Sequence, residues 1–241
     1  MACAGEPTPP PGPVLERGQQ TVPVGDDERD VIVRMPEDPE GAPILFLFHF
    51  LGGSPGEILS IFDPDQYVDD GWIVIAPASR QLALTEWSVL EAPADNADVA
   101  LYDELLARAV NTGGDPDRVF ASGFSAGGLF TSYLTMHRAD TLVATAPISG
   151  GVLSAEYVTP AAQIPVLLAW GGPSDNIFGF DFHAAAQTFS TNLAGDGHPV
   201  WTCEHAAGHI VPAATVEQVE TFLYAERDGD AGAITGCDRL P

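Results

Sequence analysis

The sequence predicts an α/β fold, a mainly parallel sheet with helices on both faces. Three observations carry this. Segments such as "PILFLFHF" (Pro43 to Phe50) and "GWIVIAPA" (Gly71 to Ala78) are continuous apolar runs, as expected of strands buried on both faces. Segments of helical spacing such as "DNADVALYDELLARAV" (Asp95 to Val110) alternate with them. The chain has 241 residues and is 45% hydrophobic, enough to fill the core of one such domain.

In chain order, the start reads "MACAGEPTPPPGPV". Its prolines exclude a helix or a ladder, so residues 1–18 read as a flexible tether. It lacks the basic and apolar regions of a signal peptide. Ala2-Cys3 followed by small residues resembles the cleavage end of a bacterial lipoprotein signal. On that expectation Cys3 carries a lipid, Met1 is an added start, and the protein is secreted or attached to the cell envelope.

Residues 19–241 read as a single domain. "TVPV" and "DVIVRM" alternate and read as half-exposed early strands. The buried strands Pro43–Phe50 and Gly71–Ala78 follow, then the helix Asp95–Val110, with acids near its start where the helix dipole favours them. "RVFASGF" reads as strand, "AGGLFTSYLTMHR" as helix, and "LVATAPISG" and "PVLLAWGG" as strands. "FDFHAAAQTFSTNLA" is a helix, "PVWTCEH" a strand, and "PAATVEQVETFLYAE" the closing helix.

The formal net charge is −25, and all nine basic residues are arginine. Such a surface repels phosphate backbones, so no nucleic-acid partner is expected, and it keeps a monomer soluble. A salt-adapted source is a sharper reading of the same charge. No apolar run approaches the ~18 residues of a membrane span. Cys203 and Cys237 are either free or paired. A bond between them would stabilise the fold by about 4 kcal/mol and imply an oxidising compartment.

Two stretches fit G-x-S-x-G, a pattern that presents a nucleophilic serine on a sharp strand-to-helix turn: "GGSPG" around Ser54 and "GFSAG" around Ser125. The residue after the serine must donate its backbone N–H to an oxyanion. Pro55 has none. Ala126 has one, and Ser125 lies between a strand and a helix. Ser125 is therefore the candidate nucleophile. The loop "HFLGGSPG" takes the other job, the second oxyanion donor, with the N–H of Leu51 preferred over that of Phe50.

A serine hydroxyl needs a base. Six histidines compete, and "CEHAAGHIVP" offers two after the last strand. His205 still sits on the strand-like run. His209 follows Gly208 in a loop able to swing over Ser125 and is preferred. Their spacing of four suggests a zinc pair, but no helix pattern supports one and Pro212 argues against it, so no metal or other cofactor is expected. His49 reads as a brace for the oxyanion loop, and His137, His183 and His198 as surface or helix residues. The carboxylate that orients the base is assigned to Asp175, the first acid after "PVLLAWGG". Asp181 reads as a helix N-cap.

The stretch "DPDRVFASGFSAGGLFTSYLTMHRADTLVATAPISGG" resembles the elbow region of the polyhydroxybutyrate depolymerase and feruloyl esterase group of α/β-hydrolases. "PILFLFHFLGGSPGE" resembles the group's oxyanion loop, "LLAWGGPSDNIF" its acid segment and "GHIVP" its histidine segment. The likeness runs from about Arg29 to Tyr224. It implies an α/β-hydrolase fold and a secreted or envelope-attached serine carboxylic-ester hydrolase with no cofactor; the acidic surface disfavours anionic substrates, so neutral short-chain, aromatic or polymeric esters are expected. Phe50 replaces the expected glycine after His49, and Trp170 replaces the usual histidine of the acid segment. No insertion long enough for a large lid is evident.

Phe124, Trp87, Phe178 and Phe180 are expected to line the substrate pocket, although each also suits ordinary core packing. A peptidase or acyltransferase with the same triad, or a binding protein on a hydrolase scaffold, are the alternatives. "DGDAG" at Asp228 is too short for a calcium loop and reads as a polar turn.

Overall fold

The computed structural model describes residues 12–81, 85–153, 156–229 and 232–241. The chain opens with a hairpin of β1 (Gly18–Val24) and β2 (Asp27–Arg34), then enters β3 (Ala42–Phe48). Two short helices, α1 (Pro55–Ile61) and α2 (Pro64–Asp69), lead to β4 (Ile73–Pro77). A small hairpin of β5 (Arg80–Gln81) and β6 (Thr85–Glu86) precedes α3 (Ala97–Thr112). Then come β7 (Gly114–Phe124), α4 (Ala126–His137), β8 (Ala144–Ile148) and β9 (Val166–Trp170). A second small hairpin, β10 (Asn176–Ile177) and β11 (Phe180–Asp181), leads into α5 (Phe182–Gly195). The chain ends with β12 (Val200–Glu204), α6 (Ala213–Asp228) and β13 (Asp238–Arg239).

Among the described residues the main sheet has the order β1-β2-β4-β3-β7-β8-β9-β12-β13. The six strands from β4 to β12 run parallel, and the antiparallel pairs lie at the two edges. Residue alternation then fills two layers. Ile44, Phe46 and Phe48 of β3 pack with α3, α4 and α5 through Leu105, Phe130 and Phe189. Leu45 and Leu47 point the other way and pack with α1, α2 and α6 through Ile58, Tyr67 and Phe222. Continuous apolar runs are needed because both faces of these strands are covered.

Several expectations change. The tether is shorter than residues 1–18: Leu15 is buried in the core, and its N–H donates to Thr112 Oγ1 at 2.8 Å. An apolar side chain gains more by covering the sheet than by staying in water, so packing starts before residue 19. Residues 1–11, with Cys3, lie outside the described residues. β3 ends at Phe48, because the chain turns at Phe50, whose carbonyl accepts from Gly53 N–H at 2.9 Å. His198 is buried rather than on the surface, with Nδ1 beside the backbone of Ile164. Cys203 and Cys237 form a disulfide that ties β12 to the chain entering β13. The "DGDAG" turn begins at the end of α6, where Gly229 has a left-handed backbone, and runs into Asp230 and Ala231, outside the described residues.

Candidate active site

The carboxyl ends of the parallel strands share one rim of the sheet. In open α/β sheets this is where ligands bind. The loops after β3, β7, β9 and β12 meet there.

Ser125 joins β7 to α4 in a strained turn, with φ 58° and ψ −117°. A non-glycine residue avoids this region unless its surroundings hold it. Here Ser125 N–H donates to Ile148 O at 3.0 Å, and Ser125 O accepts from Leu129 N–H at 2.8 Å. Gly127 lets the turn sit against β3, since a Cβ there would collide with the carbonyls of Phe48 and His49. Ala126 begins α4, so its N–H has no partner within the helix and lies at the positive end of the helix dipole.

The loop after β9 carries Asp175, which is fully buried. The loop after β12 carries His209. The two loops are joined by Gly208 N–H donating to Gly171 O at 3.2 Å. Only glycine suits position 171, because a Cβ would collide with the Gly208 carbonyl. His209 Nδ1 lies 2.6 Å from Asp175 Oδ1, and its Nε2 lies 2.8 Å from Ser125 Oγ. The three side chains expected to act together are thus joined in one line, although 84 positions separate Ser125 from His209.

The other oxygen of Asp175 accepts from Ser149 Oγ and from Gly171 N–H, each at 2.8 Å. Burial by itself would raise this carboxyl's pKa. The hydrogen bonds from His209, Gly171 and Ser149 outweigh burial and hold it below its ordinary value. The carboxylate therefore stays ionised and bound on both sides. Ser149 was not anticipated. Its only sequence signal is its place after the buried run "LVATAPI", at the end of a neighbouring strand.

The remaining histidines separate cleanly. His205 follows β12, its N–H still paired with Trp170 O at 2.9 Å, and its Nδ1 accepts from Ala207 N–H at 3.2 Å. It serves its own loop. His49 is fully buried, and its Nε2 accepts from Ser79 N–H at 3.1 Å, so Nδ1 carries the proton and donates to Phe50 O at 2.8 Å. Burial lowers its pKa and keeps it neutral. It braces the loop bearing Phe50 and Leu51. Ser54, the competing serine, caps α1 and exchanges hydrogen bonds with Glu57. Asp181 caps α5 through Ala184 N–H at 2.9 Å. Trp170 donates Nε1–H to His183 Nδ1 at 3.0 Å. Among the described residues no cluster of metal-ligating side chains occurs.

A cavity of about 530 Å³ opens beside Ser125 and His209. Ala126, Leu51, Phe124, Trp87, Phe178 and Phe180 are all on its wall. They differ in kind. Trp87 is buried, stacks on Phe130 with centroids 4.9 Å apart, and donates Nε1–H to His49 O at 2.8 Å. Phe178 is 80% exposed at the mouth. It sits with Gly179 at the tip of the β10–β11 hairpin, both with positive φ, the combination a tight two-residue turn requires. Phe50, in place of glycine, also lines the cavity and sets its ring 6.0 Å from that of Phe124. Phe124 and Phe182 lie against His209, with ring centroids 5.0 and 4.4 Å away. Phe182 was not singled out in the sequence, where it is one apolar residue at the start of a helix.

Comparison with known proteins adds the following. No protein-family profile matches the chain. The chain is 32% identical over 200 residues to "Putative esterase NocK" of Nocardia uniformis subsp. tsuyamanensis, covering 79% of this chain and 53% of that protein. It is 28% identical over 159 residues to "Feruloyl esterase B" of Piromyces equi, covering 62% and 30%. It is 30% identical over 158 residues to "Feruloyl esterase D" of Neurospora crassa, covering 59% and 53%. The chain thus spans about half the length, or less, of these relatives. Among solved structures, that of native sOPH superposes with a TM-score of 0.73 at 19% identity, over 96% of both chains. A Bacillus cereus carboxylesterase superposes with a TM-score of 0.64 at 19% identity, over 81% of this chain and 93% of that one.

Proposed function

We propose that this chain, which has the α/β-hydrolase fold and is related in sequence to the feruloyl esterase group, is a serine carboxylic-ester hydrolase. One observation carries the reading: a single imidazole, that of His209, lies 2.8 Å from Ser125 Oγ and 2.6 Å from a buried carboxylate. Ser125 is the nucleophile, His209 the base and Asp175 the residue that orients it.

In the proposed reaction, Ser125 Oγ bonds to the ester carbonyl carbon as its proton passes to His209 Nε2. The carbonyl electron pair moves onto oxygen, which the N–H groups of Ala126 and Leu51 receive. Losing one such donor costs roughly 10²–10³ in turnover. Asp175 stabilises the imidazolium without taking its proton. The carbon–oxygen bond to the alcohol then breaks, and the alcohol leaves with the proton from His209. Water repeats the sequence on the acyl-enzyme, releasing the acid and restoring Ser125.

Substrates are proposed to be neutral short-chain, aromatic or polymeric esters. The aromatic lining of the cavity and the net charge of −25 support this, since the surface disfavours anions. The disulfide supports an oxidising, extracytoplasmic compartment.

The test is hydrolysis of p-nitrophenyl esters beside peptide amides, with labelling by a fluorophosphonate. Ester turnover and labelling are expected, and Ser125→Ala should abolish labelling and lower kcat by about 10⁴-fold or more. A labelled protein that cleaves only amides would overturn the ester reading. An unlabelled, inactive protein would overturn the triad.

A further inference from the structure

The cavity does not stop at Ser125. It continues along α4, with Leu129, Tyr133 and Met136 on its wall. Counted from Ser125, these positions are spaced four, four and three, so they share one face of the helix. Eleven residues at the helical rise span about 16 Å. Leu153 and the exposed Leu90 also belong to the lining.

The far part of this lining is held in place. Tyr133 donates its hydroxyl to Glu91 O at 2.6 Å, and Met136 Sδ accepts from Val158 N–H at 3.4 Å. Both side chains are buried. The lining along α4 therefore runs from the reacting atoms to a fixed floor of Tyr133 and Met136. Asp98 also borders it, but its charge is matched by Arg29 at 2.9 Å in a buried pair, and its other oxygen accepts from Ser88 N–H at 2.8 Å. That pair leaves no free charge at Asp98; of the other charged residues on the lining, Arg80 is paired with Asp27 at 3.1 Å, and Glu86 and Glu91 are exposed to water. Thioether and branched aliphatic side chains favour flexible hydrocarbon over a polar or charged group.

We infer that the slot along α4 receives an elongated, uncharged acyl chain of medium length, octanoyl to dodecanoyl, on an ester whose carbonyl lies at Ser125. This rests on the ester-hydrolase reading and narrows its substrates, placing medium-length acyl chains above short-chain ones. A short acyl group would leave two turns of apolar wall uncovered.

The experiment measures kcat/KM for p-nitrophenyl acetate, butyrate, octanoate and dodecanoate with the wild type, Ser125→Ala, Leu129→Trp and Met136→Trp. The wild type should favour octanoate over acetate by about tenfold or more. Leu129→Trp blocks the slot after one turn, and should lower the octanoate-to-acetate ratio about tenfold. Met136→Trp blocks only its end, and should lower the dodecanoate-to-octanoate ratio while sparing the octanoate-to-butyrate ratio. Wild-type rates that fall steadily beyond butyrate overturn the inference, whether or not the variants fold. So do unchanged ratios in folded variants. Absence of any Ser125-dependent ester cleavage, at every chain length, overturns the hydrolase reading instead.

Discussion

Ser149 donates its hydroxyl to Asp175 Oδ2 at 2.8 Å, on the oxygen that His209 leaves free. Its backbone is held at φ 45°, a conformation unusual for serine, and its N–H is tied to Ala169 O at 2.7 Å. The end of β8 is thus bent to face Asp175. A hydrogen bond to a charged group contributes about 1.5–3 kcal/mol. Ser149→Ala should lower kcat about tenfold and leave KM within a factor of two, because only the orientation of the carboxylate is disturbed. Steady-state kinetics check this, and an unchanged kcat would remove Ser149 from the positioning set.

His209 lies against two phenyl rings, with Phe182 at 4.4 Å and 36° and Phe124 at 5.0 Å and 33°. In the proposed reaction the imidazole becomes a cation, and an aromatic face attracts a cation by about 0.5–2 kcal/mol. Phe182→Leu keeps bulk but removes the ring. It should lower kcat about three- to tenfold with little effect on KM. A change in KM alone would mean that Phe182 only touches substrate.

The Cys203–Cys237 bond closes a loop of 34 positions and fastens the edge of the sheet. The chain-entropy account gives about 4 kcal/mol for a loop of this size. At about 2–4 °C per kcal/mol for a chain of this length, Cys203→Ser with Cys237→Ser should lower Tm by about 8–16 °C. Reduction of the wild type should match it in a calorimeter. A drop below about 2 °C would show the edge to be held by packing alone.

Acid should destabilise the protein before carboxylates titrate. Burial lowers the pKa of His49, and does the same for His137 and His205. The native state holds these rings neutral, while the unfolded chain binds their protons near pH 6.5. Unfolding therefore takes up protons below that pH, and stability falls as pH drops through 6.5 toward the native values. Asp175, held below its ordinary value, contributes stability that is lost at still lower pH. Half-buried Glu220 and Glu226, raised by partial burial, act in the opposite sense around their own range. Tm should be flat between about pH 7 and 9 and fall between pH 6.5 and 5.5, with a smaller fall in His49→Gln. A flat Tm across that window would contradict the account.

Much of this was legible before folding was considered. The two-sided strands declare themselves as apolar runs, because a sheet covered on both faces tolerates no polar alternation. Short helices α1 and α2 were less visible. Their caps, Ser54 and Asp63, and their prolines belong to seven- and six-residue segments with too few turns to show a period. Leu15 was hidden by its proline-rich surroundings, which say nothing of the groove that receives it.

The sequence by itself determined the layered α/β architecture and the preference for Ser125 over Ser54. Both follow from local chemistry, the periodicity of apolar residues and the missing N–H of Pro55. Tertiary structure alone decided that His209 reaches Ser125 while His205 serves its own loop, that the two cysteines meet, and that Ser149 and Phe182 lie against Asp175 and His209. Those outcomes depend on how neighbouring strands end at one rim, and strand packing brings together residues whose separation along the chain carries no signal of contact.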